Sequence, residues 1–238
     1  MNGPATRPRL DQVAELTKGV CLPLPAIASV HLEVLAEGLR QVFDELCVDQ
    51  PVTMVSGDEN EVTALMEGRL NMLIEKGTLW GQLVNLVVRG KESISFDGSH
   101  LEKRPDLCFY LTDRRQRFPL VAEAKILDAT ASKTLKLYCK EGIRRFVKGE
   151  YAWSNREAFM VGYVRDGSSI DTHLRPFLSE AIGYGSADYL VEELPVHSGS
   201  GVCELAHTRH GRDFLYGDQL PSSSPGAIAI WHLWLSKT

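Results

Sequence analysis

The sequence lacks the features of secreted, membrane-spanning and zinc-ribbon proteins. Its five cysteines are odd in number and widely scattered, with no C-x-x-C pair, which argues against a disulfide framework or a zinc ribbon. No apolar run approaches the roughly 20 residues that span a bilayer, and the apolar stretch at 20–30 is broken by Pro23 and Pro25. We therefore expect a cytoplasmic protein with no membrane partner.

An excess of positive charge is also absent. The 238 residues include 26 Lys and Arg against 31 Asp and Glu, a net charge of −5, so the overall field does not attract nucleic acid. Any nucleic-acid partner must be held by a local basic patch. An apolar content of 44% and a charged content of 24% are typical of a globular protein that folds without disulfides or structural metal.

The first quarter of the chain is predicted to be an extension of the main domain. Residues 1–25 show no sustained period and are predicted to form an arm followed by a loop. Apolar residues at intervals of three and four then predict an amphipathic helix of about 20 residues from Ile27. We predict an N-terminal arm and helical extension at 1–57 and a single α/β domain at 58–238.

The rest of the chain alternates between strand-like and helix-like patterns. Asp58 or Ser56 can cap a second helix, whose first turn is acidic. After it we predict strands at 78–95, 106–112 and 118–127, a helix at about 132–151, a strand at 158–164, a short helix near 174–182, and strands at 202–208 and 226–235. The second and third of these strands should form a hairpin, because only a short polar turn separates them.

Three charged residues lie within the two apolar strands of this hairpin. The runs LCFYL and PLVAEAKIL are apolar at nearly every position, as in central strands covered on both faces. Asp106 opens the first strand, and Glu123 and Lys125 share one face of the second. A turn centred in 113–117 predicts a register that sets Asp106 opposite Glu123, so the three groups converge.

Two buried carboxylates side by side are costly unless a cation lies between them. Carboxylate oxygens suit Mg²⁺ or Mn²⁺, with positions left open for water and a substrate phosphate, and the carbonyl of Ala124 is placed to join them. Lys125, beside the metal, can orient the attacking water, help to deprotonate it and offset charge in the transition state. The alternative is an exposed Glu-x-Lys ion pair at a strand end with no function.

Pro105-Asp106, a spacer covering residues 107–122 and Glu123-Ala124-Lys125 resemble the motif of the PD-(D/E)XK nuclease superfamily, the fold of many restriction endonucleases. The family's order of elements, a helix with an upstream acid, a three-stranded meander, a helix and a further strand, is similar to the order predicted for 58–165. The resemblance implies a restriction endonuclease-like core, a central mixed β-sheet flanked by helices. It also implies metal-dependent hydrolysis of DNA in restriction, antiviral defence, repair or recombination.

The family's upstream acid corresponds to Glu59 or Glu61. Helical geometry favours Glu59, which lies about 45° from the centre of the apolar stripe, whereas Glu61 lies more than roughly 100° away. A capping or helix-dipole role is the common alternative for both. The predicted catalytic residues are Asp106, Glu123, Lys125 and Glu59, and the predicted ligands of Mg²⁺ or Mn²⁺ are Asp106, Glu123 and Glu59.

The basic patch lies on the predicted helix that follows the Glu-x-Lys strand. Positive side chains recur there at steps of three and four beside a buried stripe, so they share one face. We predict that this face contacts the phosphate backbone of DNA. Arg144 or Arg145 can instead point at the active site, and a plain solvated lysine face is the alternative. The predicted DNA-binding residues are Lys133, Lys136, Lys140, Arg144, Arg145 and Lys148.

The remaining candidates carry less weight. His207, His210 and His232 are predicted to be structural or to contact DNA at a rim, with a catalytic role as the alternative. A P-loop, a dinucleotide fingerprint and a Ser/His/Asp arrangement are all missing from the sequence. We predict a Mg²⁺-dependent DNA endonuclease, acting as a homodimer or with a partner subunit that recognises the target. The alternatives are a catalytically silent nuclease-fold module that binds nucleic acid or a protein, and an interaction protein whose Glu-x-Lys is accidental.

Overall fold

A computed structural model describes residues 10–99, 103–198, 204–216 and 224–237. The strands are β1 (Val84–Arg89), β2 (Leu107–Leu111), β3 (Leu120–Leu127), β4 (Glu157–Val164), β5 (Val191–His197), β6 (Glu204–His210) and β7 (Ile228–Ser236). The α-helices are α1 (Leu10–Thr17), α2 (Ser29–Asp49), α3 (Pro51–Ser56), α4 (Glu59–Ile74), α5 (Leu79–Leu83), α6 (Leu135–Tyr138), α7 (Arg144–Val147) and α8 (Arg175–Gly183).

The seven strands form one mixed sheet in the order β1-β2-β3-β4-β7-β6-β5. At its centre β3, β4 and β7 run parallel, while β1 with β2, β2 with β3, β7 with β6 and β6 with β5 are antiparallel. Helices flank the sheet, so the predicted α/β class is confirmed. No helix in the described part of the chain has the length and apolar character needed to cross a membrane.

Helices α2 and α4 cover one face of the sheet. Helix α2 has 21 residues, which confirms the helix predicted from Ile27. Its buried residues Leu35 and Leu39 share one core with Met66 of α4 and Ala124 of β3. The predicted extension therefore packs into the same core as the sheet, and the division of the chain at 57/58 remains a prediction.

The other face carries α6, a π-helical turn at Cys139–Ile143, α7 and α8. The predicted helix at 132–151 is too long at both ends, because the hydroxyl of Thr134 caps α6 and Gly149 has a φ of 71° after α7. Inside it, Gly142 lies so close to Met160 that a Cβ there would come within 2.2 Å of that side chain. The π turn interrupts the single helical stripe that the basic residues were predicted to follow.

One strand prediction, at 78–95, is confirmed only for Val84–Arg89 of β1, and strand β5 was missed. Within the run at 78–95 that was predicted as strand, Leu79–Leu83 form helix α5. The last part of that run has only the isolated bridge between Ser93 and Lys103. Strand β5 was missed because Glu and Pro residues hide its alternation; Pro195 is tolerated because β5 is an edge strand.

The segment predicted as an arm and loop at 1–25 is also more ordered than expected. Residues 1–9 lie outside the described part of the chain, but 10–17 form helix α1. Its Val13 packs in a small third core with Phe118 and Trp153. An eight-residue amphipathic helix is too short for its period to stand out from the sequence.

Candidate active site

The hairpin of β2 and β3 brings the first two acidic residues together. Leu107 of β2 pairs with Ala122 of β3 in antiparallel register. Asp106, which immediately precedes β2, therefore lies opposite Glu123, and the predicted register is confirmed. Since Glu123 and Lys125 are two residues apart on β3, both project from the same face of the sheet.

Three carboxylates surround the ammonium group of Lys125. Its Nζ lies 2.9 Å from Oε1 of Glu59, 2.9 Å from Oε1 of Glu123 and 3.5 Å from Oδ2 of Asp106. It also donates a 2.6 Å hydrogen bond to the carbonyl of Ala124. The acids come from the start of α4, from the residue before β2 and from β3, so only the folded chain assembles the cluster.

Two of the carboxylates also pair with the backbone of β3 beyond the end of β2. Oδ2 of Asp106 accepts a 2.7 Å hydrogen bond from the N–H of Ala124. Oε2 of Glu59 accepts a 3.2 Å bond from the N–H of Ile126. The pairing of β2 with β3 stops at Ala122, so these carboxylates take the place of a neighbouring strand. The backbone bonds hold both side chains in fixed orientations.

Glu123 is the most buried member of the cluster, with an exposure of 1%. Its Oε2 has no hydrogen-bond partner among the residues that the structure describes. Burial, reinforced by the neighbouring charge of Asp106, raises the pKa of Glu123 to about 8, because these effects outweigh the attraction of Lys125 and Arg145. Near neutral pH the Glu123 carboxyl therefore binds a proton when no metal is present.

Lys125 stays charged in this environment. Burial alone would lower its pKa, but the carboxylates of Glu123, Asp106 and Glu59 outweigh burial and raise the pKa above its ordinary value. The site thus contains a permanent positive charge, and Lys125 without a metal is poorly suited to accept a proton near neutral pH.

Arg145 of α7 contacts the cluster from the helices that cover this face of the sheet. Its Nη1 donates a 2.8 Å bond to Oε1 of Glu123 and a 2.9 Å bond to the hydroxyl of Tyr151, and its Nη2 lies 3.2 Å from Oε2 of Glu141. Of the two arginines for which the sequence left this role open, it is Arg145 that contacts the site. Tyr151 was missed, because nothing in its sequence surroundings distinguishes it from an ordinary core aromatic residue.

The structure also separates the two candidate upstream acids. Glu61 forms a capping box with Asp58: its side chain accepts a 2.7 Å bond from the N–H of Asp58, and its own N–H donates a 2.8 Å bond to the Asp58 carboxylate. Glu59 instead turns toward Lys125. The preference for Glu59 from helical geometry agrees with this arrangement, and its catalytic role remains a prediction.

The predicted basic face is only partly free. Arg144 and Lys148 are half-buried, and Lys148 forms an ion pair with Asp213. Among the six predicted DNA contacts, the exposed side chains are those of Lys133, Lys136 and Lys140. These three lie in the segment that leaves the carboxyl end of β3, so they remain the best placed for phosphate contacts.

The histidines do not reach the acidic cluster through any hydrogen bond that the structure describes. His210 and His232 are fully buried, and both contact the hydroxyl of Thr208, at 2.7 and 2.8 Å. Burial lowers the pKa of His210 to about 4 and that of His232 well below its ordinary value. His207 stacks on Trp231 with a ring separation of 5.4 Å. This agrees with the structural role predicted for these residues.

Comparison with known proteins adds no further constraint on the site. No family model matches this chain, and no match was found among curated proteins or solved structures.

The donor set of the cluster fits a hard divalent cation. Three carboxylates and the carbonyl of Ala124 are the oxygen ligands that Mg²⁺ and Mn²⁺ prefer. The buried Oε2 of Glu123 is an acceptor still without a partner. No three Asp, Glu, His or Cys side chains in the described ranges are grouped as a preformed metal site. In this arrangement the ammonium of Lys125 neutralises the acids, which are the donors that a cation would use.

Proposed function

We propose that the protein is a metal-dependent DNA endonuclease with a restriction endonuclease-like core of the PD-(D/E)XK type. One observation supports this most strongly: Asp106, Glu123 and Glu59, from three separate elements, meet at Lys125. The order of elements, from α4 through the meander to the helix and β4, agrees with the order that the motif implies.

Asp106, Glu123 and Glu59 are the proposed ligands of Mg²⁺ or Mn²⁺. Such an ion, when bound, activates a water molecule and stabilises charge on the phosphate oxygens. Glu123 loses its proton when it becomes a ligand, because only the carboxylate coordinates. Arg145 keeps that carboxylate in place through the 2.8 Å bond to its Oε1.

Lys125 acts mainly as a fixed positive charge. Its raised pKa keeps the ammonium protonated, so it orients the attacking water and offsets charge on the reacting phosphate. The exposed side chains of Lys133, Lys136 and Lys140 are proposed to contact neighbouring phosphates without regard to sequence. Cleavage of both strands of a duplex would favour a homodimer or a partner subunit. Restriction, antiviral defence, repair and recombination are the biological settings that this activity fits.

A cleavage assay tests the proposal. Supercoiled plasmid and single-stranded DNA are incubated with the protein and Mg²⁺ or Mn²⁺, beside Lys125→Ala and Asp106→Ala. Lys76→Ala and Asp188→Ala, which change the same residue types at exposed positions, serve as matched controls. We expect metal-dependent cutting that falls by at least about 100-fold in the two site variants and is unchanged in the controls.

The other outcomes separate the alternatives. Binding of DNA without cutting would support the catalytically silent module instead. Cutting that is equally fast in both site variants would place the chemistry elsewhere in the molecule. If the protein neither binds nor cuts DNA, the result would support an interaction protein in which the Glu-x-Lys sequence is accidental.

A further inference from the structure

Tyr151 lies between two parts of the acidic site, and the proposed mechanism gives it no role. Nη1 of Arg145 carries two N–H groups, which donate to Oε1 of Glu123 at 2.8 Å and to the hydroxyl of Tyr151 at 2.9 Å. The Tyr151 hydroxyl in turn donates a 3.3 Å bond to the carbonyl oxygen of Arg104. One hydroxyl therefore joins the guanidinium that holds Glu123 to the segment that leads into Asp106.

The backbone between Arg104 and Asp106 is stiff. The peptide bond between Arg104 and Pro105 is planar, and the ring of Pro105 fixes its φ angle. Only the ψ angle of Pro105 remains as a soft dihedral before the Cα atom of Asp106. Because Tyr151 holds the Arg104 carbonyl, it also restricts where the Asp106 carboxylate can lie.

The ring of Tyr151 has a fixed position. The residue is 1% exposed, and its ring packs edge to face on Phe146 with centroids 6.0 Å apart. The guanidinium of Arg145 lies over the same ring, 5.7 Å from its centroid. Burial raises the pKa of Tyr151 above its ordinary value. The hydroxyl therefore keeps the proton that it donates to the Arg104 carbonyl.

A neighbouring ion pair supports the same link. Glu150, the residue before Tyr151, lies 2.8 Å from the ammonium of Lys103, the residue before Arg104. Two successive residues of the segment after α7 thus contact two successive residues of the segment before Asp106. The Glu150–Lys103 pair is partly exposed, so solvent weakens it. The hydroxyl of Tyr151 is the buried part of the link.

We infer that Tyr151 is a positioning residue for Asp106 and Glu123, whose carboxylates it holds at a fixed separation before a divalent cation binds. The inference rests on the proposed function, in which both acids are ligands of Mg²⁺ or Mn²⁺. Residues that orient metal ligands without touching the metal contribute about 10–100-fold to metal affinity. The alternative is a buried tyrosine whose hydroxyl affects stability alone.

Metal binding in Tyr151→Phe tests the inference, because this variant keeps the packed ring and removes the hydroxyl. Mn²⁺ is titrated into the protein without DNA, and free Mn²⁺ is measured by electron paramagnetic resonance at a temperature where every variant is folded. We expect Tyr151→Phe to weaken Mn²⁺ binding by about tenfold. Asp106→Asn removes a proposed ligand, so it should weaken binding further and identify the site that is being titrated.

Tyr216→Phe is the matched control. The hydroxyl of Tyr216 donates a 2.6 Å bond to the carbonyl of Trp153, and Tyr216 is 4% exposed in the small third core. Removing this hydroxyl should lower the midpoint of urea unfolding and leave the affinity for Mn²⁺ unchanged. If Tyr151→Phe changes that affinity no more than Tyr216→Phe does, the hydroxyl of Tyr151 is only structural and the inference is overturned.

A double-mutant cycle tests whether Tyr151 acts through Arg145. In Arg145→Gln the link to Glu123 is already broken. Adding Tyr151→Phe to that variant should therefore change Mn²⁺ affinity by less than about twofold. A full tenfold loss in that background would show that Tyr151 acts independently of Arg145, which contradicts the inferred link.

The same titrations separate this inference from the nuclease function. If the wild-type protein binds no Mn²⁺, or Asp106→Asn binds it equally well, the metal site is absent and the proposed function is overturned together with the inference. If the wild-type protein binds Mn²⁺ through Asp106 and cuts DNA, but Tyr151→Phe keeps the wild-type affinity, only the positioning role of Tyr151 is overturned.

Discussion

The most direct test of the buried site is the pH dependence of stability in Glu123→Gln. In the metal-free protein Glu123 binds a proton more tightly when folded than when unfolded, because burial raises its pKa from an ordinary value of 4.5 to about 8. The stability that this proton contributes is fully present below the unfolded pKa and is lost as pH rises through the folded pKa. Glutamine is neutral at every pH and removes this dependence.

The magnitude follows from the size of the pKa change. One pKa unit corresponds to about 1.4 kcal/mol, so an upper bound for the whole change is about 5 kcal/mol. Between pH 6.5 and pH 8 the wild-type protein should lose about 2 kcal/mol of unfolding free energy through Glu123. The pKa of His210 is lowered from 6.5 to about 4, so its contribution to the unfolding free energy increases as pH rises from about 4 to 6.5 and then stays constant. The window from pH 6.5 to pH 8 therefore excludes the change due to His210.

The assay is urea unfolding at several pH values with EDTA present. The difference in unfolding free energy between wild type and Glu123→Gln should change with pH, in favour of the variant at pH 8. Glu180→Gln, at an exposed position on α8, is the matched control and should follow the wild type throughout. If Glu123→Gln keeps the wild-type slope, Glu123 does not hold a proton near neutral pH and the account of the site's electrostatics is refuted.

Three further predictions concern other parts of the molecule. Thr208→Val leaves two buried histidine rings without their shared partner and should cost about 2 kcal/mol in urea unfolding; a change of a few tenths would contradict this. Replacing Lys136 and Lys140 together with alanine should reduce the salt-dependence slope of duplex DNA binding by about 2, and an unchanged slope would remove these lysines from the interface. Glu61→Ala should cost about 1 kcal/mol through the capping box while cutting is retained, whereas Glu59→Ala should abolish cutting; the reverse pattern would exchange their roles.

The core of the candidate site could be predicted because its determinants are local. A hairpin with a short turn leaves few registers, and a turn centred in 113–117 selects the one that sets residue 106 opposite residue 123. The observed pairing of Leu107 with Ala122 follows from this, and it carries Asp106 to Glu123. The choice of Glu59 over Glu61 depended only on helical angles within a single turn.

Other parts were decided by packing between distant segments. The residues of α5 read as a strand, but Trp80 packs edge to face on Phe109 at 6.1 Å and the segment folds as a helical turn. Gly142, inside the π turn, leaves room for Met160 of β4, whose side chain would lie 2.2 Å from a Cβ at that position. The hydrophobic periodicity of the sequence predicts neither contact, because each one involves a residue from another element.

By itself the sequence determined the α/β class, the hairpin register and the convergence of an acid pair on Lys125. Alternation along strands and angles around helices are properties of short segments, so they can be read without knowing the fold. Only the tertiary structure decided that Arg145 contacts Glu123 and that Tyr151 joins it through its hydroxyl. Both side chains arrive on segments packed over the sheet, and their positions depend on that packing rather than on any pattern along the chain.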